Sequence, residues 1–123
     1  MPSYYFHHLH LISGDPVKVA DFYDKLLGAK KVRVRERGIN LDLNGTMINV
    51  RDSRDEPLVP GCPIPSGFEH FALRTDNIQA AMAELRENGI TVLQEITSPE
   101  PGTKIAYILA PGNVPIELIE VNR

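Results

Sequence analysis

Cysteine is nearly absent from this 123-residue chain, where Cys62 stands alone. A lone thiol closes no internal disulfide, and zinc sites built from cysteines are excluded. That usage suits a reducing compartment. Positive charge is not in excess either. Thirteen Lys and Arg against 16 Asp and Glu leave a formal net charge of −3, which argues against a general phosphate-backbone binder. No apolar run approaches the roughly 18–20 residues that a spanning helix requires. The opening MPSYYFHHLH lacks the basic-then-apolar order of a signal peptide. The expectation is a cytoplasmic protein acting on a small molecule, with no nucleic-acid and no membrane partner. At 42% apolar content, the chain is long enough to bury a core as a single domain, 1–123.

What is present is a repeat. FHHLHL (6–11) and FEHFAL (68–73) share Phe, His and Leu at matching places, offset by 62. Asp15 and Asp76 each open a helix-like stretch, and Gly28 and Gly89 end those stretches, both pairs offset by 61. GTMINV (45–50) resembles NVPIEL (113–118), offset by 68.

Residues 5–12 and 68–74 alternate and are rich in aromatic and aliphatic residues, so they read as strands. Asp15-Pro16 is an N-cap followed by proline at the first helical position. Val17, Ala20, Tyr23, Leu26 and Leu27 then form an apolar stripe. Asp76 is expected to cap the second helix, which carries Ile78, Ala81, Met82 and Leu85. Further strands are expected at 31–37, 39–43 and 46–51, and at 90–96, 104–110 and 114–121. Asn44-Gly45 and Pro111-Gly112 stand where hairpin turns belong. The stretch 52–67 holds four prolines and reads as a surface linker. The prediction is an α+β fold: module one (5–51), the linker (52–67) and module two (68–121), two tandem βαβββ modules forming a concave, partly closed mixed sheet. With sheet edges to cover, a homodimer is expected.

Alternation decides which side chains share a face. Phe6, His8, His10 and Ile12 fall on one side of the first strand. Phe68, His70, Ala72 and Arg74 share a face in the second copy, and Pro115, Glu117 and Ile119 do so in the last strand. His8 and His70 are equivalent repeat positions, and Glu117 corresponds to Asn49. Two imidazoles and a carboxylate can form a facial triad with open coordination positions. Such a triad suits one divalent ion, whether Zn, Ni, Mn, Fe or Co, which would act as a Lewis acid. A single strand histidine is more often a half-buried residue bonded to a neighbouring carbonyl. Two at equivalent positions, with a Glu on the otherwise apolar IELIEV, favour the metal.

HLHLISGDPVKVADFYDKLLG resembles the opening of the vicinal oxygen chelate superfamily, the group of glyoxalase I, methylmalonyl-CoA epimerase, extradiol dioxygenases and the fosfomycin- and bleomycin-resistance proteins. The pattern is a ligand His, an Asp seven residues on, Phe-Tyr, then Leu-Gly; His8, Asp15, Phe22-Tyr23 and Leu27-Gly28 match it. HFALRTDNIQAAMAELRENGI is similar to the second-module helix with its ligand, at His70. YILAPGNVPIEL resembles the family's close, which places a ligand on Glu117, although Ala110 stands where Asp is usual. The likeness covers nearly the whole chain. Asn49 departs from it, since the lyases and epimerases usually carry Glu or Gln there, and Asn cannot serve as a base.

The resemblance implies a metal-dependent lyase or isomerase of glyoxalase type that stabilises an enediolate on a small oxygenated substrate. Glu117 is the ligand best able to double as base, with His10 in reserve as acid or base. Tyr107 is similar to a substrate-contacting Tyr of the resistance enzymes, though core packing would also explain it. Lys31, Arg33, Arg35 and Arg37 fall on one face of a strand, which commonly means a solvated edge. On the substrate side, Arg33 and Arg35 would hold a carboxylate or phosphate. Three alternatives remain. An iron-dependent ring-cleaving dioxygenase would act on catechol under air. A thiol transferase would consume thiol with an epoxide. A metal-free binding protein of the bleomycin-resistance sort would carry no stoichiometric ion.

Overall fold

The computed structural model describes residues 2–53, 59–63, 67–111 and 114–122. Eight strands and two helices follow in the order β1 (Tyr4–Ser13), α1 (Pro16–Leu27), β2 (Lys30–Arg35), β3 (Gly38–Leu43), β4 (Thr46–Asp52), β5 (Gly67–Thr75), α2 (Ile78–Glu87), β6 (Thr91–Glu100), β7 (Thr103–Ala110) and β8 (Val114–Val121). The fold is α+β, and its mixed sheet does not close on itself. β-α-β-β-β therefore occurs twice, as the internal repeat predicts.

The chain divides into two compact units that do not follow chain order. The α1 unit comprises His8–Pro57 and Pro63–Glu69; the α2 unit comprises Met1–His7, Leu58–Cys62 and His70–Arg123. In the α1 unit the strands run β2-β3-β4-β1, with β1 parallel to β4 and the other contacts antiparallel. Ile39, Leu41, Ile48 and Val50 pack with Ala20 and Ala29, and Leu11, Val19 and Tyr23 close over them. The stripe reading of α1 holds only in part: Ala20 is buried, while Val17, Leu26 and Leu27 are exposed. Asp15 accepts from the Lys18 amide as N-cap, and Gly28 ends the helix in the left-handed region at φ 80°. Asn44 and Gly45 both take positive φ, as a tight hairpin between β3 and β4 requires.

In the α2 unit the order is β5-β8-β7-β6, with β5 parallel to β8. Ile78, Ala81 and Met82 of α2 pack on Ala106, Ile108 and Leu118. The cap of α2 is Asn77, whose side chain accepts from the Ala80 amide. Asp76 instead accepts from the Ser3 amide, so the expected Asp76 cap is corrected by one residue. β6 runs to Glu100, past the expected end at 96 and through Pro99. It stands last in the strand order, where one missing amide donor is tolerated. A turn at Pro101-Gly102, with Gly102 at φ 79°, leads into β7.

Of the expected linker, Asp52 belongs to β4 and Gly67 to β5. Val59 is buried. Residues 54–58 and 64–66, and Gly112 of the expected second turn, lie outside the described residues.

Candidate active site

Register decides what each strand presents. In the α1 unit Ile48 and Val50 face α1, so Met47, Asn49 and Arg51 face away from it. His8 pairs with Met47, His10 with Asn49 and Ile12 with Arg51, which puts His8, His10 and Asn49 on one face, as alternation predicts. His8 and His10 are each 5% exposed, their rings 6.2 Å apart. His10 Nδ1 lies 3.0 Å from Glu69 Oε1, both side chains buried. Asn49 Oδ1 is buried with no hydrogen-bond partner among the described residues.

In the α2 unit Ala72 pairs with Glu117 and Leu73 with Leu118. Leu118 faces α2, so Glu117 points away from the helix. Tyr107 is the cross-strand partner of Glu117 and shares that face. His70 Nε2 stands 3.1 Å from Glu117 Oε1. The Tyr107 ring meets the His70 imidazole edge-on, centroids 5.5 Å apart. His70 is 1% exposed, and Glu117 and Tyr107 are 7% each. Of the predicted residues, this unit brings together His70, Glu117 and Tyr107; the other brings together His8, His10 and Asn49.

The repeat survives in register: Asn49 sits beside His10 on β4, and Glu117 beside Ala72 on β8. Positions 10 and 72 are offset by 62, as FHHLHL and FEHFAL are. Glu69 is the site residue that sequence reasoning missed. Strict alternation sends it to the face opposite His70, yet both are buried. A carboxylate between aromatics beside a candidate His was the available signal.

The arginine stripe is corrected. β2 slips against β3 between Lys31 and Arg33, and a bulge of one residue reverses the facing. Lys31 pairs with Leu41 and bonds Asp21 of α1 at 2.6 Å. That contact lowers the Asp21 carboxyl and raises the Lys31 ammonium from their ordinary values. Arg33 and Arg35 face the other way, with Asn40 and Gly38. Arg37 lies beyond the strand and pairs with Asp52 at 2.8 Å. Cys62 is a half-buried free thiol. A cavity of about 510 Å³ in the α2 unit, walled by Tyr5, His7, Arg74 and Asp76 among others, contains none of the predicted site residues.

Buried imidazoles beside carboxylates, on the sheet faces turned from the helices of two βαβββ units, define a protein that holds polar chemistry on a strand scaffold. The model of the Glyoxalase/Bleomycin resistance protein/Dioxygenase superfamily matches residues 5–118, and the chain belongs to that superfamily. It is 31% identical to the uncharacterized protein YwkD of Bacillus subtilis (strain 168), over 93% of this chain and 94% of that protein. It is 30% identical to lactoylglutathione lyase of Escherichia coli O157:H7, over 92% of this chain and 90% of that one. Methylmalonyl-CoA epimerase from Mycobacterium tuberculosis shares the fold at a TM-score of 0.74, with 20% identity, 96% of this chain and 88% of that chain covered. No helix among the described residues is long and apolar enough to cross a membrane.

Proposed function

We propose that the chain, acting as one domain over 1–123, is a divalent-metal-dependent lyase or isomerase of glyoxalase type, with His8, His70 and Glu117 as the metal ligands. The observation that carries this reading is the 3.1 Å between His70 Nε2 and Glu117 Oε1. Two donors bound at right angles to one ion at roughly 2.0–2.2 Å stand about 3 Å apart. A direct N–H···O bond has the same length, so the donor set must also argue. Two neutral imidazoles and a carboxylate suit a borderline divalent ion, and the orphaned Asn49 Oδ1 adds a fourth acceptor on the His8 face. Family membership and the lactoylglutathione lyase relative point the same way.

When bound, the ion supplies Lewis acidity that stabilises negative charge developing on adjacent substrate oxygens. Glu117, the ligand best able to double as base, takes the proton next to the substrate carbonyl, with His10 in reserve as acid or base. His10 Nδ1 lies 3.0 Å from Glu69 Oε1 without hydrogen-bond geometry, which sets a buried carboxylate beside the ring. The Tyr107 phenol, across from Glu117, donates to a substrate oxygen. Burial of these groups excludes water and strengthens each contact. The working state is a homodimer.

The test is solvent deuterium exchange at the C–H beside a carbonyl, in the hemithioacetal of methylglyoxal and glutathione, using protein purified without chelator. Exchange that disappears with a chelator and returns with one divalent ion per chain supports the reading. Exchange indifferent to the chelator overturns it.

A further inference from the structure

The cavity of the α2 unit, about 510 Å³, lies within the roughly 300–1,000 Å³ of small-molecule sites. It sits where the start of β1 meets the ends of β5 and β8, and no residue of the proposed metal centre walls it. The wall is chemically divided: Tyr5 and Phe6 supply aromatic surface, and Arg74 and Asp76 supply opposite charges. Phe6 stacks on Phe71, with ring centroids 6.1 Å and planes 19° apart. Even so, Phe6 is 53% exposed and Tyr5 63%, and large apolar rings left open beside a hollow mark an interaction site. Arg74 Nη2 donates one long bond of 3.4 Å to the Val121 carbonyl. Asp76 Oδ1 accepts from the Ser3 amide at 3.0 Å. Each contact restrains its side chain, and the remaining guanidinium donors and Asp76 Oδ2 are left for a ligand. Although two residues apart, Arg74 and Asp76 form no ion pair, either with each other or with another charge among the described residues. The polar neighbours are already committed, Asn122 to Glu120 at 2.7 Å and the buried Thr75 to the Asn77 amide.

A cation and an anion that share a cavity without meeting complement a ligand that carries both charges close together. A lone anion would be opposed by Asp76, and a lone cation by Arg74. The aromatic wall asks in addition for a flat apolar body. We infer that this cavity binds the zwitterion of an aromatic α-amino acid, with its carboxylate on Arg74, its ammonium on Asp76 and its ring against Phe6 and Tyr5. Arg74 holds the carboxylate through parallel N–H bonds. The site stands apart from the proposed metal centre and needs no ion.

L-Phenylalanine and three relatives test this by calorimetric titration at low salt. 3-Phenylpropionate lacks the ammonium, phenethylamine lacks the carboxylate, and L-alanine lacks the ring. Phenylalanine binds about tenfold tighter than each of them, as charge-assisted bonds and ring contact predict, and its advantage over the two singly charged relatives shrinks as salt rises. Arg74→Met weakens phenylalanine about tenfold and does not weaken phenethylamine. Asp76→Asn, which keeps the oxygen that accepts from Ser3, weakens phenylalanine likewise and does not weaken 3-phenylpropionate. Both residues are exposed, and the four ligands on the parent protein decide the matter should a variant fold poorly. Each titration is repeated with a chelator present, because an α-amino acid can also bind a metal ion. Affinity that is unchanged by the chelator supports the cavity, and affinity lost with it overturns the inference. So do equal binding of phenylalanine and either singly charged relative, no binding at millimolar concentration, or an Arg74→Met protein that binds phenylalanine as the parent does. The metal-centred reading is untouched by these outcomes, since its own test is the exchange reaction.

Discussion

His10 separates proton transfer from packing more cleanly than any other side chain here. It is buried, shares the His8 face, and meets Glu69 at 3.0 Å. Replacing it by Gln should lower turnover by about two to four powers of ten, the usual contribution of a placed proton-transfer group. The melting temperature should barely move, since Gln keeps a hydrogen-bonding end. The contrary pattern, destabilisation by about 1–3 kcal/mol with turnover per folded molecule intact, would make the pair a packing device. Asn49→Glu should tighten metal binding, because a carboxylate would replace an amide oxygen that has no hydrogen-bond partner among the described residues. Unchanged affinity in a metal titration would mean that Asn49 does not face the ion.

At this scale the sequence was legible wherever alternation held. The shared face of His8 and His10, and the facing of Glu117, follow from a period of two and are reproduced by register. Glu69 was not legible, because positions 69 and 70 are both buried and strict alternation allows only one of them. Nor was the cap of α2, since Asp76 and Asn77 are equally good cap residues. The choice fell on Asn77 where Asp76 was engaged by Ser3.

Among the elements, β2 is where pattern reading failed and the structure is most informative. KKVRVR alternates as if one face were wholly cationic, but the slip between Lys31 and Arg33 divides it. A bulge depends on pairing with a partner strand, so β2 alone carries no signal of it. Helix limits and the Asn44-Gly45 hairpin were readable because caps and left-handed residues act locally. Lys31, turned towards α1, ties β2 to Asp21. Since the folded Asp21 carboxyl is held below its ordinary value by that contact, the stabilisation is present above the unfolded carboxyl's value, about 3.9. It is lost as pH falls through the folded value. Lys31→Met should therefore flatten the acid limb of the stability curve, and an unaltered limb would show the pair to be energetically silent. Gly38→Ala should destabilise by about 1–3 kcal/mol in denaturant melts, because the added methyl would press on the Val50 carbonyl and the Arg51 stem. A neutral result would mean that β3 and β4 can part without cost.

For the whole molecule, the repeat predicted two βαβββ units, and each unit observed has four strands with a helix packed on one face. The grouping of Met1–His7 with the α2 unit could not be read from chain order, because it depends on contacts remote in sequence. The metal-centred reading requires three ligands, His8, His70 and Glu117. Elemental analysis of the protein purified without chelator, together with His8→Ala, His70→Ala and Glu117→Ala, addresses that requirement most directly. The account predicts one divalent ion per chain in the parent and its loss in each variant, with every variant still folded. Full metal retained by any two of the three variants would contradict it.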